Sequence, residues 1–184
     1  MPNKFETAIL NAAMSAQEFH IEMTDGYYLW YSHESYLQNY IAINVFENQG
    51  FYVYVDASPK KIREGSDSIS KRPPSSSQRF DLVFWHKTKN QLKAIVEIKR
   101  AWNQTPVIED VKKLSGYITK KDAGGATGYV LYYTHDDAQV IVDRFNRVND
   151  TMRSRLGLYG LTHPVESCIC KSGDPPWGFA LFRC

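Results

Sequence analysis

Two runs of β-forming residues, Phe80-Asp-Leu-Val-Phe-Trp85 and Lys93-Ala-Ile-Val-Glu-Ile-Lys99, stand only seven residues apart. The intervening HKTKNQL is polar and turn-prone, so the pair reads as an antiparallel hairpin. Side chains alternate along a strand, which puts Glu97 and Lys99 on one face and Ile98 on the other. If paired residue numbers sum to an even value such as 178 or 180, Asp81 joins Glu97 and Lys99. With Asp81 opposite Glu97, Val83 meets Ile95. The opposite face is then apolar throughout: Phe80, Leu82 and Phe84 against Ala94, Val96 and Ile98. A helix can cover that face at no polar cost. A slip of one residue would send Asp81 to the wrong side. The charged face is apolar near the turn and carries two carboxylates and an ammonium at its far end, as a sheet does where one end opens into a site.

The flanking chain supplies the layers. Phe5, Ile9, Ala12, Ala16 and Phe19 recur at helical spacing, which predicts an amphipathic helix over Phe5–Phe19. The break Asp25-Gly26 and the aromatic run Tyr27–Tyr31 follow it. Ser32 reads as the N-cap of a second helix that runs to about Asn48 and ends at Gly50, with Leu37, Ile41 and Val45 as its stripe. The stretch 51–56 is dense in β-formers and reads as a strand. After the hairpin, a helix is expected from about Pro106 to Lys121 on the stripe Val107, Val111, Leu114, Ile118, ended by Gly124-Gly125. A strand at 128–133 leads to a helix opened by Asp136 and Asp137, with Ile141, Phe145, Val148, Met152 and Leu156 inward. A terminal hairpin, Val165–Cys170 with Gly178–Cys184, completes the chain. The alternation predicts an α/β fold, a mixed central sheet flanked by helices. With 184 residues it is one domain, long enough to fold without a disulfide or metal staple.

Composition excludes several classes. Hydrophobic residues make up 43% and charged residues 23%, which rules out wholesale disorder, collagen and coiled coil. Three cysteines, Cys168, Cys170 and Cys184, are too few and odd in number for a secreted disulfide framework. With His163 they match no standard zinc spacing and read as small buried thiols. No basic leader with an apolar core and no long apolar run is present, so a cytoplasmic protein without membrane contact is expected. The net charge of +2 does not itself imply a nucleic-acid partner, but its distribution is uneven. Residues 59–79 hold six Lys or Arg against two acids, with three prolines. That segment reads as a mobile basic loop, and it leads directly into the Asp81 strand.

Energetics then favour a cation at the hairpin's charged end. Directly opposed residues carry Cβ atoms about 5 Å apart. Two carboxylates at that distance repel by about 3 kcal/mol at an effective dielectric near 20. Mg²⁺ is commonly bound through one or two protein carboxylates plus waters and phosphate oxygens, and would remove that cost.

Phe80-Asp81 on one strand and Glu97-Ile98-Lys99 on the next resemble the PD-(D/E)XK, or restriction-endonuclease-like, nuclease superfamily. Arg79 and Phe80 stand where the name has a proline. The resemblance spans roughly residues 32–134 and implies an α-β-β-β-α-β core, here with an added N-terminal helix and a C-terminal helix plus hairpin. It implies that Asp81 and Glu97 bind Mg²⁺ (Mn²⁺ as a substitute), with the Ile98 carbonyl as a further ligand, and that Lys99 assists catalysis. Many members carry a glutamate on the helix before the first core strand. Glu34 lies in line with Leu37, Ile41 and Val45 and would serve as a third acidic ligand or one acting through water; the alternative is an acid favoured by the helix dipole. The implied reaction is hydrolysis of phosphodiester bonds in nucleic acid, DNA ahead of RNA.

Basic residues that would contact phosphate are Lys60, Lys61, Arg63, Lys71, Arg72 and Arg79 in the loop, with Arg100 and Lys113 beyond it. Lys112 and Lys113 project away from the apolar stripe, so a solvated face explains them equally well. The tyrosines at 27–40 and 52–54 read as aromatic core before base-stacking surface. Double-strand cutting by a domain this small would suggest a homodimer. Two rival readings keep the fold without turnover: a nucleic-acid-binding module and a protein-interaction module.

Overall fold

A computed structural model describes residues 3–64, 79–87, 91–118, 125–156 and 176–184. Helix α1 covers Lys4–Met23 and opens on a reciprocal cap. The Asn3 side chain accepts from the Phe5 and Glu6 amides, and the Glu6 carboxylate accepts the Asn3 N–H at 2.8 Å. Phe5, Ile9, Ala12 and Ala16 are buried as their spacing requires, but Phe19 is 47% exposed. The buried side of the helix continues through Gln17 and His20 instead, which leaves Phe19 turned outward.

A 3₁₀ turn, Leu29–Tyr31, then leads to α2, Glu34–Gln49. His33, not Ser32, is its N-cap residue, and it makes no side-chain cap bond. The Ser32 hydroxyl donates back to the Leu29 carbonyl at 2.8 Å, so it closes the 3₁₀ turn instead. Gly50, at φ 71°, ends α2 in the left-handed conformation that glycine adopts without steric cost.

Five strands follow: β1 Phe51–Ala57, β2 Phe80–His86, β3 Leu92–Arg100, β4 Thr127–His135 and β5 Trp177–Arg183. They lie side by side in chain order, with β3 and β4 parallel and the other neighbours antiparallel. The parallel pair is joined through α4, Thr105–Tyr117, and β4 leads into α5, Ala138–Leu156. This is the mixed sheet flanked by helices that the alternation predicts. On one face α1 and α2 meet Leu82, Phe84, Ala94, Val96, Ile98 and Leu131. On the other, α4 and α5 bring Val107, Val111, Leu114, Ile141, Phe145, Val148 and Met152 onto Val83, Ile95, Val130 and Phe182. Two buried polar links fix α1 to the sheet: Tyr129 Oη donates to Glu6 Oε1 at 3.0 Å, and Tyr133 Oη to Gln17 Oε1 at 2.7 Å.

Part of the expected basic loop is helical. Residues Pro59–Glu64 form α3, anchored by the fully buried Ile62. One apolar side chain at helical register was enough to dock that turn on the sheet. Residues 65–78 lie outside the described residues. So do the far end of the predicted 106–121 helix, Gly124, the Val165–Cys170 arm and His163; the second arm is β5, paired with β4. Among the described residues no helix is long and apolar enough to cross a membrane.

Helix α4 rests directly on β4 at Gly128. A Cβ there would stand 2.3 Å from Ile118 Cδ1 and 2.9 Å from Leu114 Cγ, whereas a Cβ at Gly116 meets nothing within 4 Å. Gly128→Ala is therefore expected to cost roughly 1–3 kcal/mol by overpacking. Gly116→Ala should be neutral or stabilising, by up to about 1 kcal/mol. Urea unfolding of the two variants checks the contrast, and equal midpoints would contradict this packing.

Candidate functional site

The register of the central hairpin decides where the acids fall. Leu82 pairs with Val96, Val83 with Ile95 and Phe84 with Ala94, the even-sum register of 178, before a bulge shifts Trp85 onto Leu92. The paired ladder stops at Leu82, one residue short of Asp81. In its place the Asp81 carboxylate reaches across, and Oδ2 accepts the Ile98 N–H at 2.6 Å. Oδ1 accepts from the Gln38 side chain of α2 at 2.9 Å.

Strand β1 is irregular at the same level. Asp56 adopts φ 53°, left-handed for a non-glycine residue, while Arg79 donates to its carboxylate and to its carbonyl. Beyond this twist the faces exchange. Ala57 and its partner Phe80 pack with the α4 side, and the Phe80 ring lies 4.8 Å from Tyr117. Phe80 therefore does not share a face with Leu82 and Phe84, contrary to strict alternation.

Glu97, with a side chain only 5% exposed, faces α4 and accepts from Lys113 Nζ at 2.7 Å. Lys99 pairs with Asp110 of the same helix at 2.9 Å. The Asp81 and Glu97 carboxyl groups are close enough to share a hydrogen bond. Burial raises both pKa values. Glu97 reaches about 7 through burial and the neighbouring Asp81 charge, against the lowering effect of Lys113. For Asp81, burial outweighs the lowering effect of the Ile98 N–H. Burial alone would lower Lys99, but the contact with Asp110 outweighs it, so the ammonium is held in its charged form.

Glu34 is the first residue of α2 and is exposed, at the open end of the stripe formed by the buried Leu37, Ile41 and Val45. It is not a carboxylate sealed on an apolar face. Its pKa is raised by desolvation on its inner side and by Asp81, so it does sense the acidic pair. Among the described residues no three His, Cys, Asp or Glu side chains converge as a ready metal-holding group. A three-carboxylate cage that includes Glu34 is therefore not present. The pair Asp81 and Glu97 does fit Mg²⁺, because two carboxylates that both resist ionisation side by side are the donor set a divalent ion stabilises.

The basic residues have separate fates. Lys113 lies on the exposed side of α4, but its ammonium reaches into the site at Glu97. Arg100 donates through Nη1 to the Trp30 carbonyl and to the Ser32 carbonyl at 2.7 Å, tying the turn before α2 to the end of β3. Lys60 and Lys61 are exposed on α3, Lys60 beside Glu64 at 3.8 Å. Arg79 holds Asp56. Lys71, Arg72 and the side chain of Arg63 lie outside the described residues. Tyr28 is buried, but Tyr27, Tyr31, Tyr52 and Tyr54 are all at least half exposed, which overturns aromatic core for those four.

Gln38 and Asp110 were not found by sequence reasoning. Gln38 lies one helical turn after Glu34, a spacing that could have signalled it. Asp110 and Lys113 are three apart on α4, but only the seat of that helix shows what they face. Compared with family models, curated proteins and solved structures, the chain matches none.

The Glu97 shift makes a stability prediction. Its ordinary value is 4.5 and its native value about 7, so the folded state holds the proton more tightly. The stabilisation is fully present below the lower value and is lost as pH rises through the higher one. Without divalent ions, unfolding free energy should fall by roughly 1–3 kcal/mol between about pH 5 and pH 7.5. Glu97→Gln should flatten that slope. Urea titrations in chelator across this window test it, and an unchanged slope in the variant would remove Glu97 as the cause.

Proposed function

We propose that this chain is a Mg²⁺-dependent nuclease of the PD-(D/E)XK type, acting on nucleic acid, with DNA favoured. The observation that carries the reading is the Asp81–Glu97 pair at a splayed sheet end, with Lys99 two residues on. No other described cluster joins two desolvated carboxylates to an adjacent ammonium.

Asp81 and Glu97 would hold the ion, with the Ile98 carbonyl as a further donor. Bound there, Mg²⁺ supplies water activation and neutralises charge on the scissile phosphate. The chain's own groups do the rest. Gln38 and the Ile98 amide occupy one lone pair on each Asp81 oxygen and fix the carboxylate's direction. Asp110 keeps Lys99 charged and aimed, which suits an ammonium that stabilises a developing oxyanion better than one that takes a proton. Exposed Glu34, which senses the Asp81 and Lys99 charges, would orient a water through its carboxylate.

Plasmid, linear and single-stranded DNA, and RNA, incubated with Mg²⁺, Mn²⁺ or EDTA test the reading directly. Cleavage is expected with either metal and none with EDTA. Lys99→Ala should lower the rate roughly 10²- to 10³-fold, and Asp81→Asn should abolish metal-dependent cleavage, with circular dichroism unchanged in both. Full activity in either variant would sink the assignment.

One observation favours a second reading, a binding module without turnover. The acids and ammonium groups already neutralise one another, Glu97 through Lys113 and Lys99 through Asp110. That module predicts salt-sensitive nucleic-acid binding that neither Mg²⁺ nor Asp81→Asn alters.

A further inference from the structure

We propose that Lys113 is a built-in counter-ion that occupies the cation's place on Glu97, gives way when the cation binds, and then takes a substrate phosphate oxygen. The inference rests on the metal-dependent reading above and assigns a step of that site to a residue of α4.

The two ammonium groups of the site are held differently. Lys99 is secured by Asp110, an acid on the neighbouring helix, so its partner is not one the ion needs. Lys113 is secured by Glu97, the acid the ion does need, at 2.7 Å on Oε1. Glu97 is almost wholly enclosed, and an ionised carboxylate there is costly without a positive partner. Lys113 supplies that partner while the ion is absent. Its own side chain is 37% exposed, with the ammonium 5.9 Å over the Phe80 ring, so it can turn outward without leaving a buried charge behind. A compact ammonium on a flexible stem binds phosphate readily, and the scissile phosphate is the anion that would be present at that moment. Ion and substrate therefore bind cooperatively: the ion displaces Lys113 from Glu97, and the phosphate gives Lys113 a new partner.

The test is Mn²⁺ binding to the full chain at about pH 8, where carboxylate protonation competes least. Free Mn²⁺ is followed by electron paramagnetic resonance, with and without a phosphorothioate DNA oligonucleotide that resists cleavage. For the native chain, Mn²⁺ should bind weakly alone and several-fold more tightly with the oligonucleotide. Lys113→Met keeps the apolar stem and removes the charge; it should bind Mn²⁺ alone on the order of tenfold more tightly, with little further gain from DNA. Lys113→Arg should restore weak binding and the DNA response, which a merely structural role would not produce. Equal or weaker Mn²⁺ affinity in Lys113→Met, with the native chain binding the ion, overturns the proposal and leaves the nuclease reading standing. No Mn²⁺ binding by the native chain or by Lys113→Met, with or without DNA, overturns both.

Discussion

A single hydrogen bond, from the Ile98 N–H to Asp81 Oδ2, organises the end of this sheet. It stands where the next rung of the β2–β3 ladder would be and replaces a backbone acceptor with a carboxylate. The strands can part there without stranding a buried donor. That parting opens the mouth into which Glu97, Lys99 and two α4 residues project. Without the substitution the hairpin would either continue its ladder, burying Asp81 against solvent-free backbone, or leave the Ile98 amide unmatched. The left-handed backbone at Asp56 lies at the same level, where Ala57 and Phe80 turn toward α4.

The energetics of the mouth follow from confinement of charge. Burial raises Asp81 and Glu97 together, and the Asp81 charge raises Glu97 further, while the hydrogen bond they share eases Asp81 back down. Lys113 and Asp110 then complete a four-charge arrangement around Glu97 and Lys99. In this setting Asp81 and Glu97 titrate as a pair, not residue by residue. Glu97 is thus held near neutral pH by its surroundings, and on the proposed reading a divalent ion would act on a balance that already exists.

The hairpin, its register and the convergence of Asp81 with Glu97 were legible in the sequence, because period-two alternation leaves only even pairings that bury the apolar face. The helical stripes of α2, α4 and α5 were legible for the same reason: their periodicity matches the burial of Leu37, Val107, Val111, Ile141 and Phe145. What alternation cannot reveal is a local change of hand. Asp56 is an ordinary residue type for a strand end, so nothing announced its left-handed backbone or the reversal of Phe80. Composition misled at residues 59–64, where Ile62 docks a helix inside a basic stretch. Glu34 fitted the buried stripe by spacing, but position at the helix's first turn put it in the open. Lys113 and Asp110 were beyond reach because their meaning depends on where a crossover helix comes to rest, a tertiary fact with no signature in spacing alone.

The close seat of α4 on Gly128 has a consequence for how the charged site can be disarranged. The helix carries both Asp110 and Lys113, and it is a stiff rod with its far end pressed on a bare stretch of β4 backbone. Bulk inserted beneath that end would tilt the rod and misalign both ion pairs at once, with every charged residue still present. Substitutions in the floor of the crossover, remote from the acids, should consequently disturb the site by leverage and not by chemistry.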